Sequence, residues 1–216
     1  GGFFVTERDA KYPNGLKSND YKELYSRWFQ FSAFTPVFRA HGTNVPREVW
    51  QFGEKGTPSY DNQVKYIQLR YRLLPYIYSM SHQVTANNYT LLRGLAMDFT
   101  TDTRTFDIDN AYMFGTSLLV RPVFHPQSEE KNISVYLPEH NGEYWYDFWT
   151  GKAFEGGREQ MQANTLDILP LYVKAGSILP LAEVKQYAME YPDRELELRI
   201  YGGANASFLW YEDEGD

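Results

Sequence analysis

The sequence predicts a mixed α/β stretch running into an all-β module, and three observations carry that expectation. Apolar residues in the first half recur at helical spacing. The second half switches to short apolar runs and strand alternation, clearest at Leu196, Leu198 and Ile200. Turn residues then punctuate those runs at short intervals, as in Asn141-Gly142, Gly151 and Gly156-Gly157. The change of period falls near Asn110. Helix, strand, long loop and helix before it fit the last units of a (β/α)8 barrel, where loops after strands build the working face. The short strands after it fit an antiparallel β-sandwich.

Each element has its own local reason. Asn19 or Asp20 can cap a first helix whose buried stripe is Tyr21, Leu24, Tyr25, Trp28, Phe29 and Ser32, and Pro36 stops it. Phe34–Arg39 is short and apolar enough to be a buried strand. Gly42–Tyr60, rich in Gly, Pro and charge, reads as a long loop of the kind that is functional or mobile. A second helix starts near Asp61 with a stripe of Val64, Ile67, Tyr71, Leu74 and Tyr78. Pro75 should kink it, because proline cannot donate to the carbonyl four residues back, and Asn87-Asn88 ends it. Strands are expected at Leu118–Phe124, Ile133–Leu137, Glu143–Phe148, Ile168–Val173, Ser177–Leu181, Glu195–Tyr201 and Ala206–Trp210.

Composition narrows the function classes. A net charge of −7 with no basic cluster argues against nucleic acid, whose phosphates need several convergent Lys or Arg. Without cysteine there is no disulfide, thiolate nucleophile or zinc–sulfur site. No apolar run is long enough to span a membrane as a helix, so no membrane partner is expected. Aromatics make up 17% of the chain, and such rings either fill cores or stack on sugars; packing is the reading favoured by composition. Asn88-Tyr89-Thr90, Asn132-Ile133-Ser134 and Asn205-Ala206-Ser207 match the N-glycosylation pattern, as chance alone would allow, and say nothing of compartment.

Few side chains look chemically active. His41 follows the candidate strand, where a pocket residue of a barrel would sit, and its imidazole could hydrogen-bond a sugar hydroxyl; a structural histidine at a loop entry is the alternative. Arg39, two residues earlier, falls on the same side of an extended segment. Asp107 and Asp109 share that spacing, but the polar threonine-rich run before them reads as a solvated turn. Glu212, Asp213, Glu214 and Asp216 form an acidic end without the enforced ligand spacing of a calcium loop, so no metal is expected. Trp145, Tyr146 and Trp149 could make a carbohydrate platform, though packing between sheets is the plainer account. Gly-x-Ser-x-Gly, phosphate-loop, His-Glu-x-x-His and dinucleotide signatures are all absent, and no cofactor is expected.

An ordered series of stretches resembles glycoside hydrolase family 31, which holds α-glucosidases and α-xylosidases. The series runs through Glu23–Phe31, Phe34–Gly42 (with Arg39-Ala40-His41-Gly42), Pro46–Gly53, Leu69–Tyr78, Tyr112–Gly115 and Ser117–Val123. It continues through Val135–Pro138, Trp145–Gly151, Ile168–Pro180 and Tyr211–Gly215. Each match alone is weak; their order along nearly the whole chain is specific.

The resemblance implies three domains. Residues 1–110 would be the C-terminal part of the catalytic barrel, 111–190 a proximal β-sandwich and 191–216 the start of a distal one. It implies a retaining, exo-acting α-glycosidase in which one aspartate attacks the anomeric carbon and a second acts as acid and then base. Both would lie in an upstream barrel segment of the same parent protein, the chain's expected partner, so the chain alone is expected to be inactive and none of its own residues is expected to be catalytic. Phe3 and His41 are expected to contact the glycone, with Arg39 and Trp50 supporting the pocket. Thr6–Asn19 is expected to form an entrance loop. The substrate would be an oligosaccharide ending in α-linked xylose or glucose. The stretches His41–Glu48, Gly202–Ala204 and Tyr211–Asp216 lean toward the α-xylosidases; an α-glucosidase and a non-catalytic carbohydrate-binding β-sandwich are the alternatives.

Overall fold

The computed structural model of the chain describes residues 12, 14–42, 46–141, 144–190 and 195–213. They divide between two compact units, one within Gly1–Ile67, Pro122–Ile133 and Ala163–Leu169, the other within Gln68–Arg121, Ser134–Gln162 and Pro170–Asp216.

The first unit is built on helix α1, Asn19–Ser32. Its cap is Ser18, one residue before the expected position, whose hydroxyl accepts from the Tyr21 amide at 3.4 Å. Tyr21, Tyr25 and Phe29 are buried at i, i+4 and i+8, with Ser32 closing the stripe. Trp28, expected on that stripe, is 40% exposed and lies at its edge. Phe34–Arg39 is not a strand. Thr35 turns the chain there, its hydroxyl lying 2.8 Å from the carbonyls of both Ser32 and Val37, either of which can accept its one proton. Beyond it, in the described segment 37–42, His41 carries a single ladder bridge. The expected loop after Gly42 is shorter than predicted. A 3-10 turn occupies Val49–Phe52, and helix α2 already starts at Pro58.

Helix α2 spans Pro58–Arg72 and helix α3 spans Leu74–Asn87. A single kinked helix was the expectation. Pro75 instead sits in the first turn of a new helix, where its missing N–H costs nothing. Leu73 joins the two, donating to Leu69 and accepting from Ile77, both at 2.9 Å. The buried face is also rotated from the expected stripe: it carries Asn62, Tyr66, Leu69, Leu73, Tyr76 and Met80, while Tyr78 is exposed. Polar residues decide that rotation. Asn62 is buried because its side-chain amide donates to the Leu166 carbonyl at 2.6 Å. Asn88 ends α3 as expected, in the left-handed conformation (φ 55°) that asparagine tolerates.

Side chains of α1 and α2 hold one connecting segment of the first unit. Arg27 is 5% exposed and donates to the Thr165 carbonyl at 2.9 Å and to Asn164 Oδ1 at 2.6 Å. Gln30 donates to Leu166 and Lys65 to Asp167. The buried Tyr66 hydroxyl accepts from the Leu169 amide at 2.7 Å. Every one of these bonds satisfies main-chain or amide groups that a strand ladder would otherwise have to satisfy.

In the second unit a six-stranded sheet follows, with every pair antiparallel. Strand β1 is Leu92–Gly94, and a short helix α4, Leu95–Asp98, and a 3-10 turn, Thr103–Asp107, follow it. Strands β2 (Tyr112–Phe114) and β3 (Leu118–Val120) come next, then β4 (Asn132–Leu137), β5 (Tyr144–Asp147), β6 (Ala153–Glu155) and β7 (Arg158–Ala163). The last are β8 (Leu171–Lys174), β9 (Ser177–Leu181) and β10 (Glu197–Tyr201). The sheet order is β1-β2-β3-β8-β5-β6, with β9–β10 and β4–β7 as separate pairs. Leu119, opposite Met113 on one side and Tyr172 on the other, marks the buried centre. A mixed α/β region followed by antiparallel sheets is the fold class expected from the sequence.

Strand ends moved where proline intervenes. β3 stops at Val120, two residues short of Pro122, and β8 starts just after Pro170, since proline cannot donate to a ladder. Ala206–Trp210 is no strand: its neighbourhood docks by ring contacts, Phe208 stacking on Tyr76 at 5.8 Å and Tyr211 on His82 at 3.8 Å. No helix among the described residues is long and apolar enough to cross a membrane.

Candidate functional site

Tyr25 organises the segment that carries His41. Its ring is buried on α1 and stacks on Phe52 with centroids 4.3 Å apart and planes 17° apart. Tyr21, one turn earlier, lies against both rings, 6.2 Å from Phe52 and 6.4 Å from Tyr25. The Tyr25 hydroxyl donates to the Arg47 carbonyl at 3.3 Å. Burial pushes this phenol up to about 12, with Arg47 pulling weakly the other way, so it remains a neutral donor at any ordinary working pH. The 47–52 segment is thereby pinned at both ends. Its turn faces Phe52 inward and leaves Trp50 69% exposed, with no hydrogen bond or ring contact among the described residues.

Arg47 extends this support to Gly42. Its buried guanidinium carbon lies 2.1 Å from where a β-carbon on residue 42 would stand, so the group packs on the bare glycine backbone. Upstream, Phe38 meets Phe29 of α1 edge-on at 4.8 Å. The segment 38–42 is thus fixed at one end by a ring contact and at the other by a guanidinium. Between these anchors Arg39 and His41 both face solvent, and Arg39 Nη2 comes within 2.7 Å of His41 Nδ1.

Of the residues singled out from the sequence, Arg39 and His41 are brought together, and Trp50 stands exposed on the 49–52 turn that follows Arg47. Phe3 lies outside the described residues, as does Thr6–Lys11 of the expected entrance loop. The exposed Arg39–His41 pair presents N–H donors on a backbone held by buried aromatics. Sequence reasoning missed the supports, Tyr25, Arg47 and Phe52. The one available signal was the buried period of α1, which named Tyr25 as core without saying what it holds.

Other candidates resolve as structure. Asp107 and Asp109 are exposed, in keeping with a solvated turn. Two carboxylates are built in: Asp102, buried and accepting from the Tyr136 hydroxyl at 2.5 Å, the Glu139 amide at 2.8 Å and the Arg104 amide at 3.2 Å, and Asp147, buried and accepting from the amides of Trp149 and Thr150. Trp145 is core, its indole donating to the Pro138 carbonyl at 2.8 Å, and Tyr146 donates to the Gly202 carbonyl. In the acidic end, Asp213 accepts from the hydroxyls of Tyr78 and Tyr211; Glu214 and Asp216 lie outside the described residues.

Comparison with known proteins gives two family matches. Residues 1–80 match the Glycosyl hydrolases family 31 TIM-barrel domain, and residues 88–179 match the Glycosyl hydrolase family 31 C-terminal domain. An alpha-xylosidase of Saccharolobus solfataricus is 43% identical over 215 residues, 99% of this chain and 28% of that protein. Alpha-glucosidase 2 of Bacillus thermoamyloliquefaciens is 34% identical over 206 residues, covering 93% and 25%. The chain therefore spans about a quarter of the length of these relatives. Among solved structures, a family 31 alpha-xylosidase of Xanthomonas citri superposes with a TM-score of 0.87 at 39% identity, over 98% of this chain and 22% of its own. A Flavobacterium johnsoniae dextranase complexed with isomaltotriose gives 0.83 at 33%, over 93% and 24%.

Proposed function

Because the chain belongs to glycosyl hydrolase family 31, we propose that it is part of a retaining, exo-acting α-glycosidase that removes a terminal α-linked xylose from an oligosaccharide. The observation that carries this reading is the 43% identity with an alpha-xylosidase along almost the whole chain. In it, residues 1–110 complete the catalytic barrel, 111–190 form the proximal β-sandwich and 191–216 begin the distal one. The attacking and proton-transferring carboxylates belong to the preceding barrel segments of the same protein. This chain supplies binding. His41 donates to a hydroxyl of the glycone and Phe3 lines its subsite, while Arg39 and Trp50 support the pocket.

A hydrogen bond to the glycone adds to rate where it strengthens as the anomeric carbon gains positive charge. Removing it should therefore lower kcat as well as raise KM. The second reading, an α-glucosidase, is favoured by the similarity to alpha-glucosidase 2, and it differs by one hydroxymethyl group in the glycone. A role confined to non-catalytic sugar binding by residues 111–216 loses its platform, since Trp145 is packed in the core. The test is the full-length protein on 4-nitrophenyl α-xyloside and α-glucoside, with His41→Ala beside it. A xyloside preference, with kcat/KM lower by about tenfold or more in the variant, is the expected result. A glucoside preference would replace the substrate, and an unaffected variant would remove His41 from the pocket.

A further inference from the structure

From the Arg39–His41 contact we infer that Arg39 is a positioning residue, holding the His41 imidazole in the tautomer that carries its proton on Nε2 and so making it a donor toward the sugar. The inference rests on the reading of His41 as a glycone contact. Arginine has five N–H donors and no acceptor, and it keeps its charge at any working pH. At 2.7 Å its Nη2 can only be donating, so Nδ1 of His41 must present a lone pair. A neutral imidazole has one such nitrogen, and the proton is left on Nε2. The two side chains sit at i and i+2 on a segment fixed by the Phe38–Phe29 ring contact and by Arg47 packed on Gly42, so their pairing is built into the backbone.

This determines what the ligand must offer. A sugar hydroxyl can donate or accept; facing an Nε2–H it has to accept, and its own proton must go to another acceptor in the pocket. A glycone lacking oxygen at that position leaves the N–H without a partner, so the arrangement discriminates against the deoxy sugar more than against a change in ring substituent elsewhere. A merely structural arginine would predict something else. Arg39 is exposed, and an exposed pair adds little to folding. Its loss should therefore change the tautomer and the kinetics while leaving the melting temperature almost where it was.

The experiment uses full-length protein labelled with 15N-histidine, with the His41 ring signals assigned by their absence in His41→Gln. In the unaltered protein the ring should show a protonated Nε2 and an unprotonated Nδ1. Arg39→Met should mix the two tautomers and lower kcat/KM on the α-xyloside by about tenfold, and Arg39→Lys, which still donates, should recover most of both. An unchanged tautomer in Arg39→Met overturns the inference whatever the rate does. So does a melting temperature that falls with the rate while the tautomer stays fixed. If the tautomer shifts but His41→Ala has full activity, Arg39 controls the ring as inferred, and it is the pocket role of His41 that fails.

Discussion

Removing one oxygen atom from Tyr76 should open the β2–β3 turn. The side chain leaves α3 fully buried, and its hydroxyl donates to the Phe114 carbonyl at 2.8 Å while accepting from the Ser117 amide at 3.1 Å. Burial raises the phenol above its ordinary value, so it holds its proton and serves both groups at once. Tyr76→Phe keeps the ring and its stacking on Phe208, but leaves a buried N–H without a partner and a buried carbonyl short of one. An orphaned buried group costs about 1–3 kcal/mol, and a carbonyl somewhat less than an amide, so the expected loss is about 2–4 kcal/mol.

The assay is hydrogen exchange on full-length protein, read on peptides covering residues 112–120. If these amides exchange by local opening, the loss appears as exchange faster by about 30- to 1,000-fold. Gly115 provides an internal control. A β-carbon there would lie 2.3 Å from the Tyr76 hydroxyl, on a backbone at φ 64°. Gly115→Ala should thus be less damaging in the Tyr76→Phe background than alone, a coupling that a double-mutant cycle measures. Exchange changed by less than about threefold, or strict additivity in the cycle, would refute the account of this hydroxyl as the turn's closing group.

Two further expectations follow from single contacts. Gly42→Ala puts a β-carbon into the Arg47 guanidinium and should cost about 1–3 kcal/mol as an overpacked site, lowering the melting temperature and the rate together; retention of both would mean Arg47 is free to move aside. The Arg199 hydrogen bond, with Arg72 behind it, holds the Glu197 carboxyl below its ordinary value. Its contribution is therefore present above about pH 4.5 and lost as pH falls through the depressed folded value. Exchange protection in β10, corrected for intrinsic rate, should fall on acidification from pH 5 to 3, and Glu197→Gln should flatten that dependence.

Much of the fold was legible because periods and breakers act locally. The α1 stripe, the end of α3 at Asn88, and strands β4, β5, β9 and β10 follow from residues within a few positions of each other. What failed depended on partners far along the chain. Phe34–Arg39 has strand composition, but the Thr35 hydroxyl turns its backbone instead. The face of α2 was misjudged because Asn62 looks like a surface residue until the Leu166 carbonyl is beside it. Strands β1, β2, β6 and β7 are too short or too polar to stand out; Arg158–Ala163 carries a single exposed methionine among polar residues. Arg39 and His41 were legible as neighbours, while the atoms through which they meet were not.

The excess of aromatic residues also gains a physical explanation. Composition leaves two uses open, filling a core or stacking on sugar, and Tyr21 and Tyr25 of helix α1 take the first. Tyr21 and Tyr25 face inward, and through Phe52 and the Arg47 carbonyl they fix the turn that bears Trp50. A flat indole is useful to a ligand only when its backbone does not move, and an exposed side chain contributes little to holding its own turn still. The buried rings therefore do the holding and the exposed one is left available. The same division applies one step upstream, where Phe38 and Gly42 are the fixed points and Arg39 and His41 the exposed pair between them. On the proposed reading of the site, the tyrosines of α1 hold the backbone that presents its exposed side chains. A volume-keeping change such as Tyr25→Phe would keep the stacking on Phe52 and release the Arg47 carbonyl.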